Sequence, residues 1–434
     1  MSKRYAFIAL CLVLLGLTLV VQAQDEPEPT QSVADAVSTL LAQTRQAPTQ
    51  IDMTQAVQEA LEQALSATPQ AATPVPIDPA TAEVISTTDF DLRAGPGNTS
   101  TYLAPDGKRF VHRDGESLCL YVQDASEPNC AQLPEPLDGS IYPESLVWSP
   151  DSRYVTFTEN FLVYLVDPDI WLWDTTTDTV TDLTDDGPNR LDFDDDSWER
   201  IDLAPTWLPD GRILFLRYSR IDDETPPAEI YAVQPDGSNQ EKLGELDTSG
   251  TFAAYAMVAT EEHLFYNYYV NGDAPENGLW MSNRDGSNPK QIYASEVPDI
   301  PWSLSTSADG RYLLMNMPFP NDLDFSPERS AARLLNVESG KEVLIDPDHF
   351  VAGAGWSPDG TALIYIVNDR RATTETDNGL YITGTPSEGG RRILEGEWLP
   401  TTTRQQQPLT WGANHSILLA HQGGESITLV ELGS

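Results

Sequence analysis

The sequence predicts an all-β chain that forms a single closed β-propeller, with seven blades favoured over six, behind a short helical or disordered N-terminal tether. Three observations predict this fold. A turn motif recurs along the chain, short β-rich runs follow its copies, and the last repeat is one strand short. The steps between successive motif copies are 45, 59, 51, 48, 50 and 55 residues. Such a period is typical of propeller blades.

The most complete copy of the motif is Trp-Ser-Pro-Asp-Gly at 356–360. Proline presets φ for the second position of a type I turn, and glycine takes the positive φ that follows. Each copy is therefore predicted to be a hairpin turn between two strands. The acidic or Asn position of the motif falls at Asp106, Asp151, Asp210, Glu261, Asp309, Asp359 and Asn414.

Each repeat has room for four strands. A β-rich run such as 363–367 follows the first turn, and a third run such as 170–173 comes later in the repeat. A second tight turn, clearest at 235–239, leads to a short fourth run such as 241–243. Four antiparallel strands per repeat are typical of a propeller blade. An all-β sandwich with frequent turns is the alternative, and the regular repeat disfavours it.

The Trp-Ser-Pro-Asp-Gly turn, with Asp-Gly-Ser-Asn at 236–239 closing the same kind of unit, resembles the WD40-like Asp-Gly (PD40) repeat of TolB-like β-propellers. The resemblance covers residues 83–434. Proteins of the TolB type usually have six blades, so a seventh repeat departs from their pattern. The chain also lacks room for the α/β domain that precedes the propeller in TolB.

The last repeat predicts how the ring closes. Strands are expected around 409–411, 416–420 and 426–432, and a fourth strand is missing. A ring leaves no unpaired edge only if another strand fills that position. We therefore expect an N-terminal strand near 83–88 to complete the seventh blade.

The N-terminus predicts export. Lys3 and Arg4 precede an uncharged run at 6–21 and a small-residue site ending at Ala23, which indicates a secretory signal peptide over 1–23. An uncleaved N-terminal membrane anchor is the alternative. Residues 24–82 contain two short helical patterns and a Pro-Ala-Thr-rich stretch, and are interpreted as a tether. The protein is expected in the periplasm, on the cell surface or outside the cell.

Two cysteines of the first repeat fit an exported protein. Cys119 and Cys130 fall on its predicted third and fourth strands, where directly opposed residues lie close enough for a disulfide. An oxidising compartment would allow that bond, so we predict it, with two reduced thiols as the alternative.

The chain is strongly acidic, with 67 Asp and Glu against 25 Lys and Arg and a net charge of −42. Such a surface repels nucleic acid and anionic lipid. It suits a cationic partner or a divalent metal ion, or serves solubility alone.

Long connections are predicted to gather on one face of the propeller, where binding residues usually lie. The most acidic is the link at 184–204. Carboxylates are ligands that Ca²⁺ prefers, so a calcium site is a candidate there and no other cofactor is expected. The match to a calcium-binding loop is incomplete, because Ser197 stands where glycine is needed and Leu203 where glutamate is needed. A solvated acidic loop is the alternative. The candidate ligands are Asp192, Asp194 and Asp196, beside Asp195.

No catalytic residue is predicted. The five histidines lack metal-binding spacing, and no Gly-x-Ser-x-Gly elbow occurs. The sequence therefore favours a non-catalytic binding or scaffold protein that meets a protein or cell-envelope partner through its long-loop face. The alternative is a propeller enzyme, a metal-dependent hydrolase or lyase, with its site at the central channel. Four tryptophans that precede the turn anchors are interpreted as core between blades: Trp148, Trp207, Trp356 and Trp411.

Overall fold

A computed structural model gives the fold. The chain divides into two compact units, residues 1–70 and 71–434, and every described residue belongs to the second. The predicted signal peptide and the tether up to residue 75 lie outside the described residues. The described residues are 76–92, 100–113, 117–123, 125, 127–134, 137, 141, 145–158, 168–185, 200–219, 227–246, 256–269, 274–295, 301, 303–317, 325–368, 377–399, 409–421 and 426–433.

Seven antiparallel sheets of four strands form the propeller. The strands of the first three blades are β2 (Ser100–Leu103), β3 (Arg109–Arg113), β4 (Leu118–Val122) and β5 (Asn129–Cys130); β6 (Val147–Trp148), β7 (Tyr154–Thr158), β8 (Ile170–Asp174) and β9 (Thr179–Asp182); and β10 (Arg200–Trp207), β11 (Ile213–Ser219), β12 (Ala228–Val233) and β13 (Glu241–Leu246). The next three blades contain β14 (Met257–Ala259), β15 (His263–Tyr268), β16 (Gly278–Asn283) and β17 (Lys290–Ala294); β18 (Ser303–Thr306), β19 (Tyr312–Asn316), β20 (Ala332–Asn336) and β21 (Lys341–Val343); and β22 (Val351–Trp356), β23 (Leu363–Val367), β24 (Gly379–Thr383) and β25 (Arg391–Glu395). The seventh blade consists of β26 (Trp398–Leu399), β27 (Ser416–His421), β28 (Ser426–Gly433) and β1 (Glu83–Asp91).

This architecture confirms the all-β propeller and the seven-blade count. Six blades are built from four consecutive strands each, so neighbours in sequence are neighbours in the sheet. A short 3-10 helix, Pro327–Arg329, precedes β20. No described residue lies in a helix that is long and apolar enough to cross a membrane.

The seventh blade closes the ring with both ends of the described chain. Its strand order is β1-β28-β27-β26, and β1 pairs with β28 from Glu83 opposite Gly433 to Asp91 opposite Ser426. The predicted closing strand is confirmed and extends to Asp91. The first strand of this blade differs from expectation. It is β26, at 398–399 rather than at 409–411, and Trp411 forms an isolated bridge with Ile417. Residues 400–408 between them lie outside the described residues.

The chain segment before β1 is fastened to the ring. Ile77 and Ala82 are buried in the apolar cluster shared by the sixth and seventh blades. The Arg391 guanidinium donates to the carbonyls of Pro79 (3.1 Å) and Ala82. The propeller unit therefore includes residues that precede the closing strand.

The Asp-Gly turns have the predicted geometry. In the sixth blade the Ser357 hydroxyl donates to Asp359 (2.6 Å) and accepts from the backbone N–H of Ala362 (2.9 Å). Gly360 has φ +65°, the left-handed conformation that glycine adopts without penalty. Ser152 stands at this position in the second blade and also has a positive φ, 61°.

The core lies between neighbouring blades, as the tryptophan pattern predicts. Trp148 of the second blade donates from Nε1 to the carbonyl of Tyr102 in the first blade (2.9 Å). Trp207 of the third blade donates in the same way to Val147 of the second (3.4 Å). Trp411 is buried and Trp356 packs against a buried cluster, so all four tryptophans join blades.

The predicted disulfide is present. Cys119 on β4 lies directly opposite Cys130 on β5, and the two form a disulfide. Both cysteines pack against the apolar cluster between the seventh and first blades. The bond fastens the shortest outer strand of the propeller to its neighbour.

Candidate functional site

The two ends of the strands form two different faces. The Asp-Gly turns and the turns between third and fourth strands lie on one, the turn-bearing face. Long connections leave the other, the loop-bearing face. Examples are the connection from β19, which ends at Asn316, to β20, and the connection from β23, which ends at Val367, to β24. This confirms that the long connections gather on one side.

Each blade presents one residue pair at the loop-bearing end of its first two strands, or two residues inside that end in the third blade, and we name these the rim pairs. The rim pairs of the first five blades contain positively and negatively charged side chains, amides and hydroxyls, whereas the rim pair of the sixth blade is apolar. The first six pairs are buried, and the seventh is half-exposed. The rim pairs are Ser100 and Arg113, Ser145 and Thr158, Asp202 and Arg217, Ala256 and Asn267, Ser303 and Asn316, Val351 and Val367, and Trp398 and His421.

The rim pair of the third blade is a buried ion pair. Arg217 donates from Nε and Nη2 to the two carboxylate oxygens of Asp202, at 2.8 and 2.6 Å. Its guanidinium also lies over the rings of Phe215 and Tyr231. The sequence groups Asp202 with the acidic link. The structure instead places it in β10, where two-point pairing with an arginine compensates its burial.

Asn267 and Asn316 occupy equivalent positions in consecutive blades but have different surroundings. The Asn267 amide accepts from the N–H of Ala256 (2.8 Å) and donates to the carbonyl of Pro301 (2.9 Å), which joins the fourth blade to the chain leading into the fifth. Asn316 is fully buried, and neither atom of its amide has a hydrogen-bond partner among the described residues.

The acidic link is described only at its two ends. Asp192, Asp194, Asp195 and Asp196 lie outside the described residues, so the structure does not report on the calcium candidate. Asp182 and Asp185 stand at the near end of the link. Burial, opposed by a hydrogen bond from the Thr184 N–H and aided by the charges of Asp185 and Asp202, raises the pKa of Asp182 to about 6. The main cause is burial, and the two neighbouring carboxylates add to it.

The histidines are dispersed over the described part of the propeller. His112 bonds Thr101 (2.9 Å) within the first blade, and His349 bonds Asp346 (3.1 Å) in the link before the sixth. Within the described ranges, no three His, Cys, Asp or Glu side chains are grouped so that they could hold a metal ion.

The half-exposed rim pair belongs to the closing blade. The rings of Trp398 and His421 meet edge to face, with centroids 4.9 Å apart. His421 Nε2 lies 2.7 Å from the Thr428 hydroxyl, which donates to Asp89 (2.6 Å). Sequence reasoning missed this group, because its four members come from four strands and from both ends of the chain.

Comparison with known proteins places the fold. No profile of a protein family matches the chain, and no curated protein is similar to it in sequence. Among solved structures, an oligogalacturonate lyase from Vibrio parahaemolyticus matches with 12% identity and a TM-score of 0.50, over 81% of this chain and 97% of that one. An oligogalacturonate lyase in complex with manganese (10% identity, 82% and 98% covered, TM-score 0.47) and a structure assigned to TolB from Agrobacterium tumefaciens (13%, 81% and 98%, 0.35) also match. Structural neighbours thus include lyase and TolB-like propellers, and at these identities the likeness shows the fold alone.

Proposed function

We propose that the protein is an exported, non-catalytic binding or scaffold protein whose loop-bearing face takes a positively charged protein partner. The observation that carries this is the acidic link and its base. The link carries four aspartates at 192 and 194–196, and Asp182 and Asp185 stand at its near end. A concentrated negative surface attracts cationic partners and accelerates their association.

The Cys119–Cys130 disulfide supports the proposed export. Disulfides persist in oxidising compartments and are rare in reducing ones. The signal-like N-terminus adds a sequence observation in the same direction.

The turn geometry supports a relationship to the WD40-like Asp-Gly repeats of TolB-like proteins. Ser307 and Asp309 of the fifth blade repeat the hydrogen bonds that Ser357 and Asp359 make in the sixth. The sequence also admits a propeller enzyme with a metal at the central channel. We propose binding because the charge of the acidic link suits a cationic partner.

A comparative pull-down tests the proposal. The baits are wild type, a link variant with Asp192, Asp194, Asp195 and Asp196 changed to Asn, and a matched control. The control changes four exposed glutamates of the turn-bearing face to Gln, and so removes the same charge: Glu261, Glu262, Glu338 and Glu388. Baits are exposed to cell-envelope and culture-medium extracts at two salt concentrations.

We expect wild type and the control to recover the same partner, and the link variant to lose it. Recovery should fall as salt rises, because exposed charges are screened. Equal recovery by the link variant and wild type would remove the acidic link from the proposed function. Calcium titration of wild type and the link variant by calorimetry tests whether the link also binds that ion.

A further inference from the structure

The loop-bearing end of the closing blade has a row of side chains on one face. The residues between them, Leu399, Ala420 and Ile427, pack into the cluster shared with the first blade. Because side chains alternate across a strand, the row faces the sixth blade. Its members, one from each strand from the inside out, are Trp398, His421, Thr428 and Asp89.

Hydrogen bonds fix the outer half of the row. The Thr428 hydroxyl has one proton and donates it to Asp89 Oδ1 (2.6 Å), since a carboxylate can only accept. Its contact with His421 Nε2 (2.7 Å) must therefore be a bond donated by the imidazole. The carboxylate and the ring are both held in place before any partner arrives.

Two of the hydrogen-bonded side chains of the row are also accessible to solvent. The Asp89 side chain is 74% exposed and that of His421 is 39% exposed, whereas Thr428 beneath them is buried. Of the seven rim pairs this is the half-exposed one, and the outermost pair of the third blade, Arg200 and Ser219, also reaches solvent. The row thus offers an ordered, open carboxylate at the outer end of two aromatic rings.

We propose that this row is a subsite for a lysine or arginine side chain of the protein partner. The cationic head would meet Asp89, and the aliphatic stem would lie along the rings of His421 and Trp398, as long basic side chains do on apolar surfaces. A chain with net charge −42 favours such a ligand over an anion. The bond from Thr428 lowers the cost of ordering the carboxylate. The subsite rests on the proposed function, which it supplies with a second contact point.

The test follows the histidine ring resonances of the full chain by NMR while a hexalysine peptide is added at physiological ionic strength. His263 is the internal reference, because its side chain is also 39% exposed and lies 4.0 Å from Glu262, but on the turn-bearing face.

We expect the His421 signal, assigned with His421→Gln, to shift with saturation while the His263 signal stays. Asp89→Asn should weaken the apparent affinity by roughly 1.5-fold to fivefold, the range of an exposed ion pair. Glu83→Gln, at the far end of the same strand, should leave it unchanged.

Equal shifts of the two histidines, an unmoved His421, or equal losses in Asp89→Asn and Glu83→Gln would overturn the subsite. These outcomes are separate from the fate of the proposed function. If the link variant loses the partner while His421 does not respond, the function stands and the subsite falls. If the His421 signal shifts while the link variant keeps its partner, the subsite is supported and the acidic link is excluded from the proposed function.

Discussion

Asn267 and Asn316 allow a paired test of what one buried amide contributes. Asn267→Leu leaves the Ala256 N–H and the Pro301 carbonyl without partners inside the protein. We expect it to lower the free energy of unfolding by about 2–6 kcal/mol, since each of the two polar groups left unpaired costs about 1–3 kcal/mol. Asn316→Leu removes an amide that has no partner among the described residues, so it should be neutral or stabilising. Urea unfolding measures both, and similar losses in the two variants would contradict the difference in their surroundings.

The raised pKa of Asp182 predicts how the free energy of unfolding changes with pH. Its folded-state pKa, about 6, lies above the ordinary carboxyl value, so the folded chain binds this proton more tightly than the unfolded chain. The contribution of Asp182 to stability is therefore lost as pH rises from about 4 to about 6 and stays lost above that. Asp182→Asn keeps an oxygen for the Thr184 N–H.

We expect Asp182→Asn to melt at a higher temperature than wild type at pH 7.5 and to gain little at pH 4.5. Thermal unfolding at the two pH values measures this. Glu388→Gln, an exposed change on the turn-bearing face, serves as control and should show no such contrast. A gain of equal size at both pH values would argue against burial as the cause.

The Asp-Gly turns of different blades have the same conformation but different surroundings. Gly310 and Gly360 have nearly the same φ, +66° and +65°, in the same turn of consecutive blades. A Cβ on Gly310 would meet nothing within 4 Å, whereas one on Gly360 would lie 2.4 Å from the backbone nitrogen of Ala308 in the fifth blade. The turn of the sixth blade therefore touches that of the fifth through Gly360.

Alanine substitution separates conformation from contact at these turns. Gly310→Ala should cost about 1–2 kcal/mol, the penalty of a left-handed residue with a Cβ. Gly360→Ala should cost about 1–3 kcal/mol more, because neighbouring backbone must shift. Chemical unfolding of the two variants gives the difference directly. Equal costs would show that the contact between turns is easily relieved.

At the scale of the whole molecule, the ring depends on a strand from the N-terminal side. Removing residues 1–75 keeps β1 and the segment that Arg391 holds. Removing residues 1–91 strips the eight-pair ladder with β28 and exposes an unpaired edge. We expect the first truncation to keep the oligomeric state and nearly the melting temperature of the full-length chain, and the second to melt lower and self-associate.

Light scattering and thermal unfolding of the two truncations distinguish these outcomes. Adding a peptide of residues 76–92 to the shorter chain should restore part of the lost stability, because it supplies the missing strand. A stable monomer without β1 would mean that the described closure does not hold the ring together.

The sequence by itself determined the blade count, the closing strand and the disulfide. Each follows from local rules that repeat: a Pro-Asp-Gly turn specifies a hairpin, its period specifies a blade, and one absent strand specifies what must complete the ring. Cys119 and Cys130 needed only the assignment of their strands to be placed opposite each other.

Only the tertiary structure decided which polar residues meet on the loop-bearing face. Asp202 reads as one more acidic residue of the link, yet its position in β10 opposite Arg217 makes it an internal ion pair. Asn267 and Asn316 look alike in sequence, and only the neighbouring blade gives one of them its partners. Asp89 and Thr428 are separated by most of the chain and become neighbours through ring closure. Contacts of this kind depend on register between strands and on packing between blades, which a local pattern does not encode.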